Sequence, residues 1–192
     1  MLTVKDLAKQ YGDVAALGGI SFHISPGETT GIFGLEGAGK TTLLDILSGY
    51  LLNYTGSAEC DGADLRRQPM AYRTKIAYIP QNCTPYPDMT VREYGCFLAG
   101  LHGLGSGKKA RHRVEESLQF VGILPLAEYS LQTLGAQDCA RAALAAALAP
   151  EPEVLFIDEP FAGLRMDEIV GQQALLRAVA QRTTLVVASR SI

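Results

Sequence analysis

Nine consecutive residues, Gly34-Leu35-Glu36-Gly37-Ala38-Gly39-Lys40-Thr41-Thr42, bring together permissive backbone, one cation and two hydroxyls. They fit the pattern G-x-x-x-x-G-K-[ST] at Gly34, Gly39, Lys40 and Thr41. Glycines let a backbone turn successive N–H groups inward, which makes a cradle for phosphate oxygens. A helix that starts where such a loop ends adds free N–H groups and the positive end of its dipole. Lys40 supplies charge for the terminal phosphates of a nucleotide, and the Thr41 hydroxyl can ligate Mg2+. The flanks agree with this reading. An apolar, β-like run (Thr29 to Phe33) comes before the stretch, and a helical pattern (Leu43, Leu44, Ile46, Leu47) comes after it. Strand, loop and helix in that order are the context the pattern requires. A glycine-rich turn with no ligand would not need four fixed positions in this setting. The stretch implies a nucleotide and, by itself, nothing more.

A second stretch carries chemistry of its own. Val154-Leu155-Phe156-Ile157 is an apolar strand that ends in two carboxylates, Asp158 and Glu159. In a P-loop fold the first carboxylate sits beside the phosphate loop and holds Mg2+, directly or through water. The second is then placed to polarise an attacking water as a general base. Standing alone, the segment would be an acidic turn after a core strand. Beside Gly34 to Thr41 it reads as the rest of the same site.

The remaining pattern shows what must position these groups. Leu2, Val4 and Leu7 begin a strand, Tyr11-Gly12-Asp13 is a turn, and Ile20, Phe22 and Ile24 alternate as a half-buried strand does. A further strand covers Ser57 to Cys60, and a buried one, Ile76 to Ile79, stops at Pro80. From about Asn82 to Ala149 the periodicity becomes helical. Thr90 and Glu93 have capping-box spacing ahead of an apolar face of Tyr94, Phe97, Leu98 and Leu101. Val114, Leu118 and Val121 mark a second helix, and alanine-rich Gln137 to Ala149 a third. The apolar strand Val154 to Ile157 is of the type buried in a parallel sheet. Helix 168–180 and strand Thr184 to Ala188 follow. The result is a parallel-sheet nucleotide core interrupted by a helical insertion. The chain stops abruptly four residues after that last strand, which leaves a missing C-terminal part open.

Composition narrows the class. The chain has 192 residues, a formal net charge of −3 and 19% charged residues, which advertises no nucleic-acid surface. The one basic run, Lys108 to Arg113, opens a helical pattern and is followed by Glu115-Glu116, as on a solvated face. The first residues carry charges and no apolar segment, and the longest strictly apolar run, Ala142 to Pro150, is too short to span a bilayer. The expectation is a soluble chain that needs another chain to cross a membrane. Cys60, Cys83, Cys96 and Cys139 have no C-x-x-C spacing and read as cytosolic thiols.

Taken together, the motifs resemble those of an ATP-binding-cassette (ABC) ATPase over essentially the whole chain. Lys9-Gln10-Tyr11-Gly12, Ile20-Ser21-Phe22 and Pro26-Gly27-Glu28 are similar to the family's opening segment, where Tyr11 matches the aromatic that stacks on adenine. Tyr78-Ile79-Pro80-Gln81 resembles the loop whose glutamine senses Mg2+ and the attacking water, and Asp158-Glu159-Pro160 matches the acidic strand end. Tyr86 to Tyr94 looks most like the subgroup that serves ABC-2-type exporters. The implied fold is α/β, a P-loop NTPase core with a mostly parallel sheet and an N-terminal antiparallel β part, plus a helical subdomain. The implied organisation is one domain over 1–192, with core 1–81 and 150–192 and the helical subdomain at about 82–149. The implied site is ATP on Tyr11 and Gly34 to Thr42 (Gly34, Leu35, Glu36, Gly37, Ala38, Gly39, Lys40, Thr41 and Thr42). Mg2+ falls to Thr41, Gln81 and Asp158, and catalysis to Glu159, Lys40 and Gln81. The implied partners are a separate transmembrane permease and a second ATPase subunit, as a homodimer or heterodimer, at the cytoplasmic face of the membrane; no nucleic acid is implied. The absence of an N-K-x-D sequence argues against a guanine-reading GTPase.

The chain departs from the family pattern where two subunits should meet. Counting back without gaps from Asp158 puts Leu134-Gly135-Ala136-Gln137-Asp138 at the signature, usually L-S-G-G-Q at the start of a helix. The serine hydroxyl is missing, side chains replace both glycines, and Asp138 adds a carboxylate. A carboxylate ~5 Å from a single phosphate charge costs roughly 3 kcal/mol at an effective dielectric of ~20. Arg165 stands where the family has aspartate, Arg190 where it has a histidine, and Pro160-Phe161 where it has proline–threonine. The main expectation is a transporter ATPase. Its rivals are a nucleotide-binding, hydrolysis-impaired partner that needs an intact cassette, and a diverged or incomplete copy.

Overall fold

The computed structural model describes residues 1–81 and 86–190. They form two compact units, one of Met1–Pro80, Glu153–Pro160 and Val179–Ile192, the other of Gln81–Pro152 and Phe161–Ala178.

The first unit holds two four-stranded sheets. β1 (Leu2–Tyr11), β2 (Val14–Ile24), β4 (Thr55–Cys60) and β5 (Ala63–Asp64) make an antiparallel sheet in the order β2-β1-β4-β5. β3 (Thr29–Phe33), β6 (Ile76–Ile79), β7 (Val154–Asp158) and β8 (Thr184–Ser189) make a parallel sheet in the order β3-β8-β7-β6. Every residue of β7 is buried, as its unbroken apolar run requires in a central parallel strand. β3 lies at an edge of the parallel sheet, and its residues alternate between exposed and half-buried.

Helix α1 (Lys40–Leu47) touches β2, β7 and β8, so it packs against both sheets. Leu44, Ile46 and Leu47 are fully buried in one core with Leu2, Leu7, Tyr72, Phe156 and Val186. Burying each such aliphatic side chain is worth about 1.5–3 kcal/mol. The short helix α2 (Pro69–Arg73) fastens the far end of α1. The Tyr72 hydroxyl donates to Leu47 O at 2.8 Å and the Arg73 guanidinium to Gly49 O at 2.7 Å. The phosphate loop therefore leads into a helix that is held along its buried face and at its far end.

The second unit is helical, with α3 (Val91–Ala99), α4 (Lys108–Phe120) and α5 (Ala136–Leu148) packed on one another. It also takes in 161–178, most of α6 (Met166–Ala180); Gly171 of α6 lies against Gln137 and Arg141 of α5. Gly95 lets α3 approach α4 closely, since a Cβ there would lie 2.6 Å from Val114 Cγ1. The expected capping box is present. Thr90 Oγ1 accepts the Glu93 N–H at 3.2 Å, and the Glu93 carboxylate accepts the Thr90 N–H at 2.9 Å. Leu101 differs from expectation and is 69% exposed. The α-helix ends at Ala99, and Gly100–Leu104 forms a wider π-turn with Gly103 at φ +88°, which carries Leu101 off the apolar face. Cys83 lies outside the described residues.

Thr90→Ala should cost about 1 kcal/mol, because an N-cap acceptor is lost. In a protein of this size the midpoint of thermal unfolding should fall by ~3 °C, read by calorimetry at neutral pH. The Thr90 N–H, and then its hydroxyl, hold the Glu93 carboxyl below its usual range. A lowered carboxyl stabilises the fold above the ordinary carboxylate range and stops doing so as pH falls through its folded value. The gap between variant and parent should therefore narrow slightly in acid, since only the hydroxyl's share of the hold on Glu93 is lost; a gap that is constant with pH would mean the Thr90 hydroxyl adds nothing to that hold, the backbone N–H being present in both proteins.

Candidate functional site

The phosphate loop is set by its backbone. β3 delivers the chain to Gly34, and α1 takes it up at Lys40. Gly39 is the N-cap of α1 at φ +84°, a conformation that favours glycine, and a Cβ there would lie 2.3 Å from the Ala16 carbonyl oxygen. No side chain caps α1, and its first turn carries no acidic residue. Its first N–H groups and positive dipole end are thus left to an anion. Lys40 is 8% exposed and folds back over the loop, donating to Gly34 O at 2.7 Å and Leu35 O at 3.0 Å. Tyr11 pairs with Val14 across the hairpin, two residues before the carbonyl that abuts Gly39. The Tyr11 ring is half exposed, with the Lys9 ammonium 4.7 Å from its centre.

The acidic strand end meets this loop. Asp158 is 2% exposed, and its Oδ2 accepts the Thr41 hydroxyl at 2.6 Å. Its buried Oδ1 has no hydrogen-bond partner. Leaving a buried charged acceptor unmet is costly. A hydroxyl and a half-satisfied carboxylate side by side, both hard oxygen donors, fit a hard divalent cation such as Mg2+. Glu159 follows in the left-handed region at φ +47°, an uncommon conformation for glutamate that turns its side chain out of the strand line. Its N–H donates to Ala188 O at 2.8 Å. Its carboxylate Oε2 accepts the Arg190 N–H at 3.3 Å and the Ser189 hydroxyl at 3.5 Å, and Arg190 Nε lies 3.3 Å from Oε1.

One contact has no counterpart in the sequence reading. The Tyr78 hydroxyl on β6 donates to Asp45 Oδ1 on α1 at 3.1 Å. Burial pushes the Asp45 carboxyl up, with Asp158 acting the same way and the Tyr78 hydrogen bond opposing. Burial also pushes the Tyr78 hydroxyl up, as do Asp45 and Asp158. The bond ties the strand that leads toward Gln81 to the loop helix. The two residues stand 33 positions apart, with no motif to link them.

Three departures from the family pattern lie in the second unit, as does Gln81, which is exposed. α5 begins at Ala136 with Gly135 as its N-cap, the position the ungapped register gives to serine, and no side chain caps it. Asp138 occupies the first turn. Arg165 is paired within its own segment. Its N–H donates to Glu168 at 2.8 Å, and its guanidinium lies 2.9 Å from Asp167 and 3.6 Å from Glu168.

A glycine loop running into an uncapped helix, a lysine folded across it and a strand-end carboxylate on the loop threonine define a P-loop nucleotide-binding domain. The family model for the ABC transporter matches residues 17–162, and the chain belongs to that family as an ATP-binding cassette. It is 32% identical over 164 residues to the linearmycin resistance ATP-binding protein LnrL of Bacillus subtilis, covering 85% of this chain and 52% of that protein. It is 35% identical over 163 residues to the daunorubicin resistance ATP-binding protein DrrA3 of Streptomyces coeruleorubidus, covering 85% and 51%. Among solved structures, the dimeric bacterial ABC transporter cassette MJ0796 superposes with a TM-score of 0.87 at 25% identity, covering 100% of this chain and 88% of that one. The chain spans about half the length of the two curated relatives.

Proposed function

We propose that residues 1–192 act as one nucleotide-binding domain that binds Mg-ATP and hydrolyses it to drive transport through a separate membrane subunit. The observation that carries this reading is the Thr41–Asp158 contact, which joins the phosphate loop to the acidic strand end with one buried carboxylate oxygen to spare. ATP lies with its phosphates on Gly34 to Thr42 and its base against Tyr11. Lys40 exchanges its two carbonyl partners for the terminal phosphate oxygens. Thr41 and Asp158 would hold Mg2+, which when bound neutralises phosphate charge. Glu159 accepts a proton from water as the water oxygen attacks the terminal phosphorus. The bond to the bridging oxygen breaks, and ADP leaves with the electron pair.

The resistance relatives favour an exporter, and the resemblance of Tyr86 to Tyr94 adds the ABC-2 type. No helix among the described residues is long and apolar enough to cross a membrane, which fits a cassette working at the cytoplasmic face beneath a permease. The dimeric MJ0796 structure supports closure on a second cassette, either a copy of this chain or a different subunit. The test is phosphate release by the purified chain in Mg-ATP, alone and reconstituted with its permease. Turnover that rises with chain concentration supports hydrolysis by a dimer of this chain. Tight ATP binding with no turnover under any condition would replace this reading with that of a hydrolysis-impaired partner.

A further inference from the structure

We infer that Glu159 and the terminal phosphate of ATP compete for one guanidinium, that of Arg190, so that nucleotide binding itself releases the water-activating carboxylate. The inference rests on reading Gly34 to Thr42 as the nucleotide site. Three distances carry it. Arg190 Nε lies 3.3 Å from Glu159 Oε1, and Arg190 Nη1 lies 3.7 Å from Oε2 of Glu36, inside the phosphate loop. The guanidinium therefore reaches both the carboxylate and the loop. The Arg190 backbone N–H separately holds Glu159 Oε2 at 3.3 Å.

The two holds that Arg190 has on Glu159 differ in permanence. The backbone hold on Oε2 does not depend on where the side chain of Arg190 points. The Arg190 side chain is half exposed while that of Glu159 is 11% exposed, so water screens the pair from the arginine side, and such a pair shifts an equilibrium about two- to five-fold. A terminal phosphate carries more charge than either carboxylate and matches the planar fork with two parallel hydrogen bonds. With ATP in the loop, Arg190 leaves Glu159 and Glu36 for the phosphate. Oε2 stays fixed by the backbone, and Oε1 becomes free to accept a hydrogen bond from water. With ADP the competitor is missing and the pair re-forms. Arg190 is then a positioning residue that senses the terminal phosphate by exchanging partners.

The test measures dissociation constants of a non-hydrolysable ATP analogue and of ADP, in Mg2+, for the parent chain, Arg190→Gln, Arg190→Lys, Glu159→Gln and the Arg190→Gln/Glu159→Gln double variant. Arg190→Gln should weaken the analogue about tenfold or more and leave ADP within about twofold, and Arg190→Lys should recover part of the loss. Glu159→Gln should tighten the analogue, and this tightening should be about two- to five-fold greater when Arg190 is present than in the Arg190→Gln background. Direct repulsion between Glu159 and phosphate gives equal tightening in both backgrounds, and that result would overturn the competition. A parallel loss of ADP and analogue in Arg190→Gln would also overturn it, because the residue would then be supporting the loop as a whole. If the parent chain binds neither nucleotide, the nucleotide-site reading fails and the competition goes with it. Nucleotide binding with uncoupled variants sinks the competition alone.

Discussion

Lys40→Ala is expected to raise the dissociation constant for ATP by about a hundred- to a thousandfold, measured by calorimetry or by displacement of a fluorescent nucleotide. The size follows from burial and charge. The ammonium is almost wholly buried and already aimed across the loop by bonds to Gly34 O and Leu35 O. Removing one member of a buried, hydrogen-bonded charge pair costs about 2–5 kcal/mol, and the terminal phosphates would lose their nearest fixed cation. ADP should lose less than ATP, since the lysine acts on the terminal phosphates. The fold should survive with a modest drop in the thermal midpoint, because the two carbonyls can turn to water and α1 stays anchored through its buried leucines and Tyr72. Unchanged ATP affinity in a folded variant would mean that nucleotide sits elsewhere on the chain.

The phosphate loop was legible in the sequence because its chemistry is local. A left-handed N-cap needs glycine at Gly39, and the cation and hydroxyl must follow at once as Lys40 and Thr41. The Thr90–Glu93 capping box was legible for the same reason, as both of its bonds lie within four residues. β7 could be read from its composition, since a strand covered on both faces is apolar up to the carboxylate at its end. The strand order could not, because it depends on which strands the crossovers bring side by side. The same limit hid the Tyr78–Asp45 bond and the engagement of Glu159 by Arg190, which span 33 and 31 residues. Arg165 is a different case. Its pairing with Asp167 and Glu168 is a matter of short spacing at a helix start, and charge pattern alone could have suggested it. Seen that way, the cation in place of aspartate is tied up within its own segment.

Glu159→Gln should lower the rate of phosphate release by about a hundred- to ten-thousandfold while ATP binding is kept or tightened. The substitution suits the site because it changes so little else. Glutamine keeps the side-chain length, its carbonyl oxygen can still accept the Arg190 N–H, and the backbone at φ +47° meets the same strain with either residue. What disappears is the group that can take a proton from water. The predicted signature is a split, with turnover collapsing and affinity not, which separates a catalytic carboxylate from one that only supports the loop. It also separates Glu159 from Lys40, whose loss should act first on binding. Phosphate release and nucleotide affinity measured on one preparation would show it. Turnover at the parent rate in Glu159→Gln would assign proton transfer to another group. A joint loss of binding and turnover would mean that the hydrogen bonds of Glu159 to the Ser189–Arg190 strand end hold the loop together and that the carboxylate has no separate chemical role.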